Sequence, residues 1–308
     1  MVFIGDPNNR ELSEKISKDL GLKIIYPEVH VFPDGERRIR INHDVANKPG
    51  IVLKSISTPV DTNLLDFCFT IDALKRNGIN NVYGAITYLG YSRADHVFRT
   101  GEAVPLEVVI KMIEASGVNR VMIIDPHTIR TSELFSTNVD ADSESAIPVF
   151  ANKIKEMKIP QEDISIVTPD MGGIRRANIL SDFLGGVGVA SIDKERNLET
   201  GSIKSGGIQG EINNICMVLD DMISTGGTIV EAARDLHNKG VEEIYAFATH
   251  GVFAQDAQRI LQDSQAKKIF ITDSIPIPEN KRFAKLEVLS LSSVIAPEIR
   301  EWLISQES

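Results

Sequence analysis

Short apolar runs alternate with amphipathic stretches along the whole chain. Runs with the length of buried strands lie at 51–56, 82–88, 121–125, 164–168, 187–192, 215–220, 244–250 and 269–272. Between them, apolar residues recur at helical spacing over 64–74, 108–113 and 229–236. Strands that alternate with helices are typical of parallel sheets built from β-α units. The pattern therefore predicts an α/β fold of doubly wound parallel sheets.

One segment, 28–42, departs from this alternation. Two strand-like runs within it flank the turn Pro33-Asp34-Gly35, whose residue types favour a tight reversal of the chain. The segment is therefore predicted to form a β-hairpin, and its turn is a place from which a site could project.

The length of 308 residues favours two domains, because a typical domain holds about 100–200 residues. The polar stretch Asn138 to Ser145 ends just before Ala146-Ile147-Pro148. We therefore predict an N-terminal domain over 1–146 and a C-terminal domain over 147–308. Ligands of open α/β sheets bind beyond the carboxyl ends of the strands, so each domain is expected to present one edge of a site.

Charge and cysteine usage exclude some classes of function. The net charge of −10 argues against a nucleic-acid-binding protein, because gripping the phosphate backbone requires a basic surface. Cys68 and Cys216 lie in apolar runs without Cys-x-x-Cys spacing, which favours reduced core residues and a cytoplasmic protein. The N terminus has no secretory-signal pattern, and no apolar run reaches the roughly 18 residues of a membrane span, so no membrane association is expected.

The most informative motif runs from Met217 to Thr228. An apolar strand leads into two acids and then into a turn of small hydroxyl and glycine residues that opens a helix: Asp220, Asp221, Ser224, Thr225, Gly226, Gly227 and Thr228. Backbone N–H groups and hydroxyls at a helix N-terminus favour a phosphate, and the paired carboxylates suit sugar hydroxyls or Mg²⁺. A Walker A sequence does not occur in the chain.

This motif resembles the phosphoribosyl-pyrophosphate loop of type I phosphoribosyltransferases and ribose-phosphate pyrophosphokinases. Over nearly the whole chain, the resemblance narrows to the ribose-phosphate pyrophosphokinase family, which makes phosphoribosyl pyrophosphate and AMP from ATP and ribose 5-phosphate. It implies two domains of the type I phosphoribosyltransferase kind. It also implies that Ser224 to Thr228 hold the 5-phosphate and that Asp220 and Asp221 hold the ribose hydroxyls.

Two segments resemble the ATP-binding parts of that family. In the hairpin, the aromatic ring would stack on adenine beside acceptors for the base, which implies ATP-binding roles for Phe32, Asp34, Gly35 and Glu36. The segment Tyr91 to Asp95 is similar to the family's Tyr-Ala-Arg-Gln-Asp, which implies that Arg93 meets the ATP phosphates and that Asp95 helps to hold the nucleotide. Ala94 replaces the usual glutamine, which removes one side-chain hydrogen bond.

The resemblance also implies a magnesium site and a catalytic flap. His127, in Asp125-Pro126-His127, would contact Mg²⁺ or the ATP phosphates, and Asp170 and Asp125 are further metal-side candidates. Lys194 and Arg196 belong to a Lys-Glu-Arg that begins the family's mobile loop, so they would neutralise the transferring group and the leaving AMP, with Arg196 also near ribose 5-phosphate. The stretch Asn197 to Gly210 is predicted to be a flexible flap.

Further expectations follow from the usual assembly of the family and from the segments in which this sequence differs from it. A homo-oligomer, either a dimer or a hexamer, is expected. Residues 96–104 and the carboxyl end do not match the regulatory parts of ADP-inhibited members, so ADP inhibition is not expected. Two alternatives remain open: a phosphoribosyltransferase, which shares only the 217–228 loop, and a catalytically silent subunit that regulates a true synthetase.

Overall fold

The computed structural model describes residues 1–128, 130–196 and 203–305, and within 193–196 and 203–206 it describes only the backbone. The chain forms two compact units. The first unit contains Met1–Ser145, Ser274–Pro276 and Leu291–Ser308, and the second contains Ala146–Asp273 and Ile277–Ser290. The sequence analysis assigned all of 147–308 to one domain, whereas the structure groups the C-terminal segment with the first unit.

The first unit is built on a parallel sheet. Its strands are β1 (Val2–Ile4), β2 (Ile24–Ile25), β5 (Gly50–Ile56), β6 (Val82–Leu89), β7 (Arg120–Ile124) and β8 (Asp140–Glu144). Its helices are α1 (Arg10–Leu20), α2 (Val60–Arg76), α3 (Pro105–Ala115) and α8 (Ser292–Ser305). Among the described residues the strands run in the order β2-β1-β5-β6-β7-β8, and every neighbouring pair is parallel.

The core of the first unit explains why its central strands read as continuous apolar runs. Every residue of β5 is buried, as expected for a parallel strand covered on both faces. Helix α2 packs Leu64, Phe67, Ile71 and Leu74 into this core. The approach is close, since a Cβ on Gly84 of β6 would lie 2.7 Å from Cζ of Phe67.

The predicted hairpin is confirmed. Strands β3 (Glu28–Val31) and β4 (Arg37–Arg40) pair antiparallel as a separate two-stranded sheet. In the turn, the N–H of Gly35 donates to the carbonyl of Phe32 at 2.9 Å, and the N–H of Phe32 donates to the carbonyl of Glu36 at 2.8 Å. Gly35 has a φ of +92°, which glycine adopts without the strain that a side chain would bring.

The second unit contains a mixed sheet. Its strands are β9 (Ile164–Thr168), β10 (Gly188–Arg196), β11 (Ile203–Gln209), β12 (Ile215–Ile223), β13 (Glu243–Gly251), β14 (Lys268–Thr272) and β15 (Leu286–Leu289). Its helices are α4 (Ile147–Glu156), α5 (Ile174–Phe183), α6 (Gly227–Asn238) and α7 (Ala257–Gln262). Within the described ranges the order is β11-β10-β9-β12-β13-β14-β15, parallel except for the β10–β11 pair.

The structure confirms the predicted α/β class and the predicted strands. It also adds the short strands β1, β2 and β15 and extends β10 to Arg196, and it differs from the prediction in the following places. The polar stretch before Ala146 contains strand β8, which was not predicted. Residues 203–209, predicted to be flap, pair as β11 with β10, and the rest of that prediction, 197–202, lies outside the described residues. Strand β12 continues past residue 220 to Ile223, because Met222 and Ile223 still pair with β13.

Within the part of the chain that the structure describes, no helix is both long enough and apolar enough to span a membrane. Cys68 is half-buried and Cys216 is buried, and both thiols are free.

Candidate functional site

In the second unit, the predicted sugar-phosphate residues lie at the carboxyl end of β12. This strand carries Asp220 and Asp221, the first half-buried and the second buried. Its pairing with β9 ends at Val218 and Val167, so both acids lie beyond the paired region, where Asp170 follows β9. Neighbouring parallel strands end at the same edge of a sheet, and the three acids are therefore gathered there.

The electrostatics of this edge favour a partner that neutralises negative charge. The N–H of Asp221 donates to Oδ1 of Asp220 at 2.9 Å. Burial is the main cause that raises the pKa of Asp220, and the carboxylates of Asp221 and Asp170 raise it further. Sugar hydroxyls can donate hydrogen bonds to these oxygens, and a cation can offset their repulsion.

The loop after β12 forms the N-terminal end of α6. Gly226 precedes the first helical residue and has a φ of +85°, and a Cβ there would lie 3.0 Å from Cγ of Leu261. Glycine therefore fits this position on both counts. No side-chain hydrogen bond caps the first turn of α6, which follows Ser224 and Thr225 and contains Thr228. An uncapped helix N-terminus of this kind is suited to an anion. The carbonyl of Ser224 accepts a hydrogen bond from Ala254 at 2.9 Å, which fixes the start of the loop.

The backbone of β10 carries Lys194 and Arg196 to the same edge. Strand β10 pairs with β9 from Gly188 to Ser191 and then continues past the end of β9, paired with β11. Both residues therefore lie on backbone that extends beyond Thr168, where Asp170 follows. Their side chains are outside the described part of the chain, so their roles stay predictions.

In the first unit, the hairpin presents its aromatic ring between two side chains. The guanidinium of Arg38 lies 5.6 Å from the ring centroid of Phe32, and the ring of His30 meets it edge-on at 4.6 Å. Asp34 and Glu36 are exposed, and Oδ1 of Asp34 accepts the N–H of Glu36 at 3.1 Å. The turn thus keeps an aromatic surface and acceptor groups on one short segment.

The segment 91–95 follows β6 and folds as a tight turn. The N–H of Ala94 donates to the carbonyl of Tyr91 at 2.9 Å. Arg93 is exposed, as a phosphate-binding arginine must be, whereas Asp95 is half-buried and lies 2.7 Å from Nδ1 of His96. Tyr91 has a φ of +67°, a left-handed conformation that is uncommon for an aromatic residue.

Asp125 and His127 follow β7, the neighbour of β6 in the sheet. Asp125 is buried, has a φ of +36°, and accepts a hydrogen bond from Oγ of Ser145 at 2.9 Å. His127 is exposed. Asp125 is thus held within the loop by Ser145, whereas His127 lies on the surface.

Metal-binding geometry was sought among the described residues, and no group of three or more His, Cys, Asp or Glu side chains has it. Mg²⁺ commonly keeps several waters and relies on substrate phosphates, so one or two carboxylates at each place suffice to hold it. The repelling carboxylates around Asp220 fit such a cation.

Sequence reasoning missed the contacts that support the first-unit segments. Arg37 pairs with Asp66 of α2, and the hydroxyl of Tyr91 donates to Asp61 of the same helix. The one available clue is the position of Arg37, directly after the predicted turn. The pairing itself joins residues far apart in sequence and follows no local spacing.

Comparison with known proteins agrees with this arrangement. Residues 1–117 match the model of the N-terminal domain of ribose phosphate pyrophosphokinase, and residues 205–308 match the phosphoribosyl synthetase-associated domain. A ribose-phosphate pyrophosphokinase of Fusobacterium nucleatum is 35% identical over 97% of this chain and 93% of its own, and one of Aquifex aeolicus is 34% identical over 97% and 94%.

A solved structure is similar as well. The phosphoribosylpyrophosphate synthetase from Mycobacterium smegmatis matches with a TM-score of 0.89 at 30% identity and covers 99% of both chains. The family model of the N-terminal segment and the comparisons that span nearly the whole chain thus indicate the same family. The chain belongs to the ribose-phosphate pyrophosphokinase family.

Proposed function

We propose that this protein is a ribose-phosphate diphosphokinase, which transfers the β,γ-diphosphoryl group of ATP to the C1 hydroxyl of ribose 5-phosphate. The observation that carries the proposal is the edge of the second unit, where paired carboxylates and an uncapped helix N-terminus follow one strand. In the reaction, the hydroxyl oxygen bonds to the β-phosphorus, the bond from that phosphorus to the bridging oxygen of AMP breaks, and the hydroxyl proton is released.

The second unit binds ribose 5-phosphate in this proposal. The N–H groups at the start of α6 and the hydroxyls of Ser224, Thr225 and Thr228 hold the 5-phosphate. Gly226 and Gly227 leave room for its approach, since neither carries a side chain. Asp220 and Asp221 accept hydrogen bonds from the ribose hydroxyls.

The first unit binds ATP. Phe32 stacks on adenine, and the acceptors of the hairpin turn read the edge of the base. Arg93 is exposed and meets the phosphates with its planar fork of donors. Asp95 holds His96 rather than pointing outward, which supports a role in shaping this segment.

We propose Mg²⁺ as the cofactor, because it supplies positive charge to the phosphates of the bound nucleotide. In the first unit His127 would hold the cation, and Asp125 supports the loop of His127. In the second unit Asp170 is a separate candidate ligand. The cation would also relieve the repulsion that raises the pKa of Asp220.

Lys194 and Arg196 are proposed to act on the transferring group. Phosphoryl-transfer enzymes work chiefly by positioning the reactants and by placing fixed positive charge where negative charge develops. Strand β10 extends past the end of β9 and carries the backbone of both residues beyond Thr168, at the edge where Asp170 follows, which supports this assignment.

Incubation of the pure protein with Mg²⁺, ATP and ribose 5-phosphate tests the proposal, with nucleotides separated by chromatography and a control without sugar. AMP that forms only with the sugar, together with a pyrophosphorylated ribose, is the expected result. Binding of both ligands without AMP would contradict the proposal and identify a silent regulatory subunit. Consumption of phosphoribosyl pyrophosphate by a nucleobase would instead identify a phosphoribosyltransferase.

We also propose a homo-oligomer. Leu65 and Phe69 on α2 and Val108 and Met112 on α3 are exposed apolar residues one helical turn apart. Their helices are neighbours, since Sγ of Cys68 lies 3.8 Å from the carbonyl of Met112. Light scattering of the purified chain should give a multiple of the monomer mass.

The free, largely buried thiols support the expected cytoplasmic location.

A further inference from the structure

Helix α2 holds both of the first-unit segments assigned to ATP. Asp66 pairs with the residue that follows the hairpin turn, and Asp61 pairs with the first residue of the segment 91–95. The two acids are five residues apart, which corresponds to about 7.5 Å along the helix axis. One rigid element therefore supports two segments that are distant in sequence.

The contact between Asp66 and Arg37 is the stronger of the two. Nε and Nη2 of Arg37 donate to the two carboxylate oxygens at 2.7 and 2.6 Å. The side chains are only 24% and 10% exposed, so solvent screens this pair less than a surface pair. Hydrogen bonding to Asp66 raises the pKa of Arg37, in keeping with a bond between charged groups. Two hydrogen bonds between the same two side chains also restrict their relative orientation. Because Arg37 begins the second strand of the hairpin, this contact restricts the orientation of the hairpin that carries Phe32.

The contact between Asp61 and Tyr91 restrains strained backbone. Tyr91 has a φ of +67°, in a region that non-glycine residues leave unless their surroundings hold them there. Its hydroxyl donates to Oδ1 of Asp61, in the first turn of α2. Arg93 lies in the turn that begins at Tyr91, two residues further on. The hydrogen bond between Tyr91 and Asp61 therefore helps to fix the position of the Arg93 backbone, from which the guanidinium extends.

The helix that supplies both acids is itself fixed. Its buried residue Asn63 donates from Nδ2 to the carbonyl of Ser57 at 2.8 Å and accepts from Asn8 at 2.9 Å. Phe67 is fully buried against the sheet. A support that does not move is what alignment requires.

We propose that α2 is the alignment element for nucleotide binding, with Asp66 and Asp61 as positioning residues that orient Phe32 and Arg93, respectively. The inference rests on the proposed function, in which these two residues meet the base and the phosphates. It goes beyond that function by assigning base discrimination and phosphate binding to separate supports on one helix.

The test uses full-length variants Asp66→Asn, Asp61→Asn and Tyr91→Phe. Asp72→Asn is the matched control, because Asp72 lies on the same helix in an exposed pair with Arg76 at 2.7 Å. Calorimetry gives the affinities for Mg·ATP and Mg·GTP, steady-state assays give KM for ATP and for ribose 5-phosphate, and thermal unfolding verifies that each variant is folded.

The two supports have different expected signatures. Asp66→Asn should weaken ATP by about tenfold and GTP by less, because the hairpin that reads the base has lost its orientation. Asp61→Asn and Tyr91→Phe should weaken both nucleotides alike by about fivefold, and the double variant should be no weaker than either single variant. KM for ribose 5-phosphate should stay within about twofold of wild type in every variant.

Four outcomes contradict the inference, the proposed reaction or both. Nucleotide affinities of the Asp66 and Asp61 variants that match Asp72→Asn would overturn the inference. An equal rise in KM for ATP and for ribose 5-phosphate would also overturn it, because it indicates general destabilisation. A wild-type protein that binds ATP yet releases no AMP contradicts only the proposed reaction, since the affinities still decide the roles of Asp61 and Asp66. A wild-type protein that binds no ATP contradicts both.

Discussion

The properties of Asp220 depend on its neighbours in the fold as well as on its place in the sequence. It lies half-buried at the carboxyl end of β12 with Asp221 and Asp170 as electrostatic neighbours. The sequence predicts roles for all three acids, Asp220 and Asp221 from their place before the Thr-Gly-Gly-Thr turn and Asp170 from its place after another predicted strand. The sequence could not give the elevated pKa of Asp220, since that results from burial and from a third acid fifty residues away in the chain.

The residue-scale prediction concerns Asp220→Asn. An amide keeps the size of the side chain but replaces one oxygen that can accept from a sugar hydroxyl with an NH2 group that cannot, so affinity for ribose 5-phosphate should fall by about tenfold. ATP affinity should change much less, because ATP is assigned to the first unit. Calorimetry with each ligand measures both effects. Asp182→Asn, an exposed substitution on α5, should leave both affinities unchanged. A larger loss for ATP than for ribose 5-phosphate would reverse the assignment of the two pockets.

Lys194 is a second residue on which the mechanism depends. If its charge acts chiefly in the transition state, Lys194→Ala should lower kcat by about a hundredfold while ribose 5-phosphate affinity stays nearly the same. Rapid assays of AMP release, combined with calorimetry, separate the two quantities. The exposed Lys239→Ala, directly after α6, serves as the charge control. Normal turnover in Lys194→Ala would remove this residue from the mechanism.

At the scale of elements, the sequence predicts the strands that are rich in apolar residues and misses the strand whose residues are mostly polar. The buried strands β5, β6 and β12 are visible as apolar runs. Strand β8 is not, because its sequence is Asp-Ala-Asp-Ser-Glu and it forms one edge of the sheet. It pairs with β7, and Arg120 of β7 adds ion pairs to it, with the guanidinium 2.7 Å from Asp142 and 3.4 Å from Asp140. Such a strand can be recognised only when its partner is known.

The end of β8 also predicts a pH dependence. Burial, followed by the nearby carboxylates of Glu298 and Asp142, raises the pKa of Glu144 to about 7, and Arg120 opposes the shift. The folded protein therefore holds this proton over a range in which the unfolded chain, with an ordinary value of 4.5, has lost it. Ionisation of this group therefore lowers the free energy of unfolding as the pH rises from about 4.5 to about 7.

The substitution Glu144→Gln removes that ionisation. At pH 8 the variant should unfold at a higher temperature than wild type, and at pH 5 the two should unfold at nearly the same temperature. Fluorescence of Trp302, the single tryptophan of the chain, reports this transition because its ring is buried 4.9 Å from Tyr83. Glu301→Gln, an exposed change on α8, should show no such pH dependence. A stabilisation of equal size at both pH values would contradict the role given to the charge.

At the scale of the whole molecule, chain order and unit membership differ. Helix α8 comes last in sequence, yet it belongs to the first unit, where Ser292 donates to Asp19 of α1 and Nη2 of Arg300 donates to the carbonyl of the same residue at 2.7 Å. The local pattern of 292–305 contains no information about which sheet this helix covers. The two-domain prediction therefore placed the helix by its position in the chain.

Unit membership can be measured by hydrogen exchange on two matched variants. Ile299 of α8 and Ile269 of β14 are both fully buried, and truncation of either to alanine should cost about 2–5 kcal/mol. Because α8 packs in the first unit, Ile299→Ala should speed exchange in β6 and β7 while β12 and β13 keep their protection. Ile269→Ala should do the reverse, since β14 pairs with β13. Faster exchange of β12 and β13 in Ile299→Ala, with β6 and β7 unchanged, would place the C-terminal helix in the second unit and restore the simple division at residue 146.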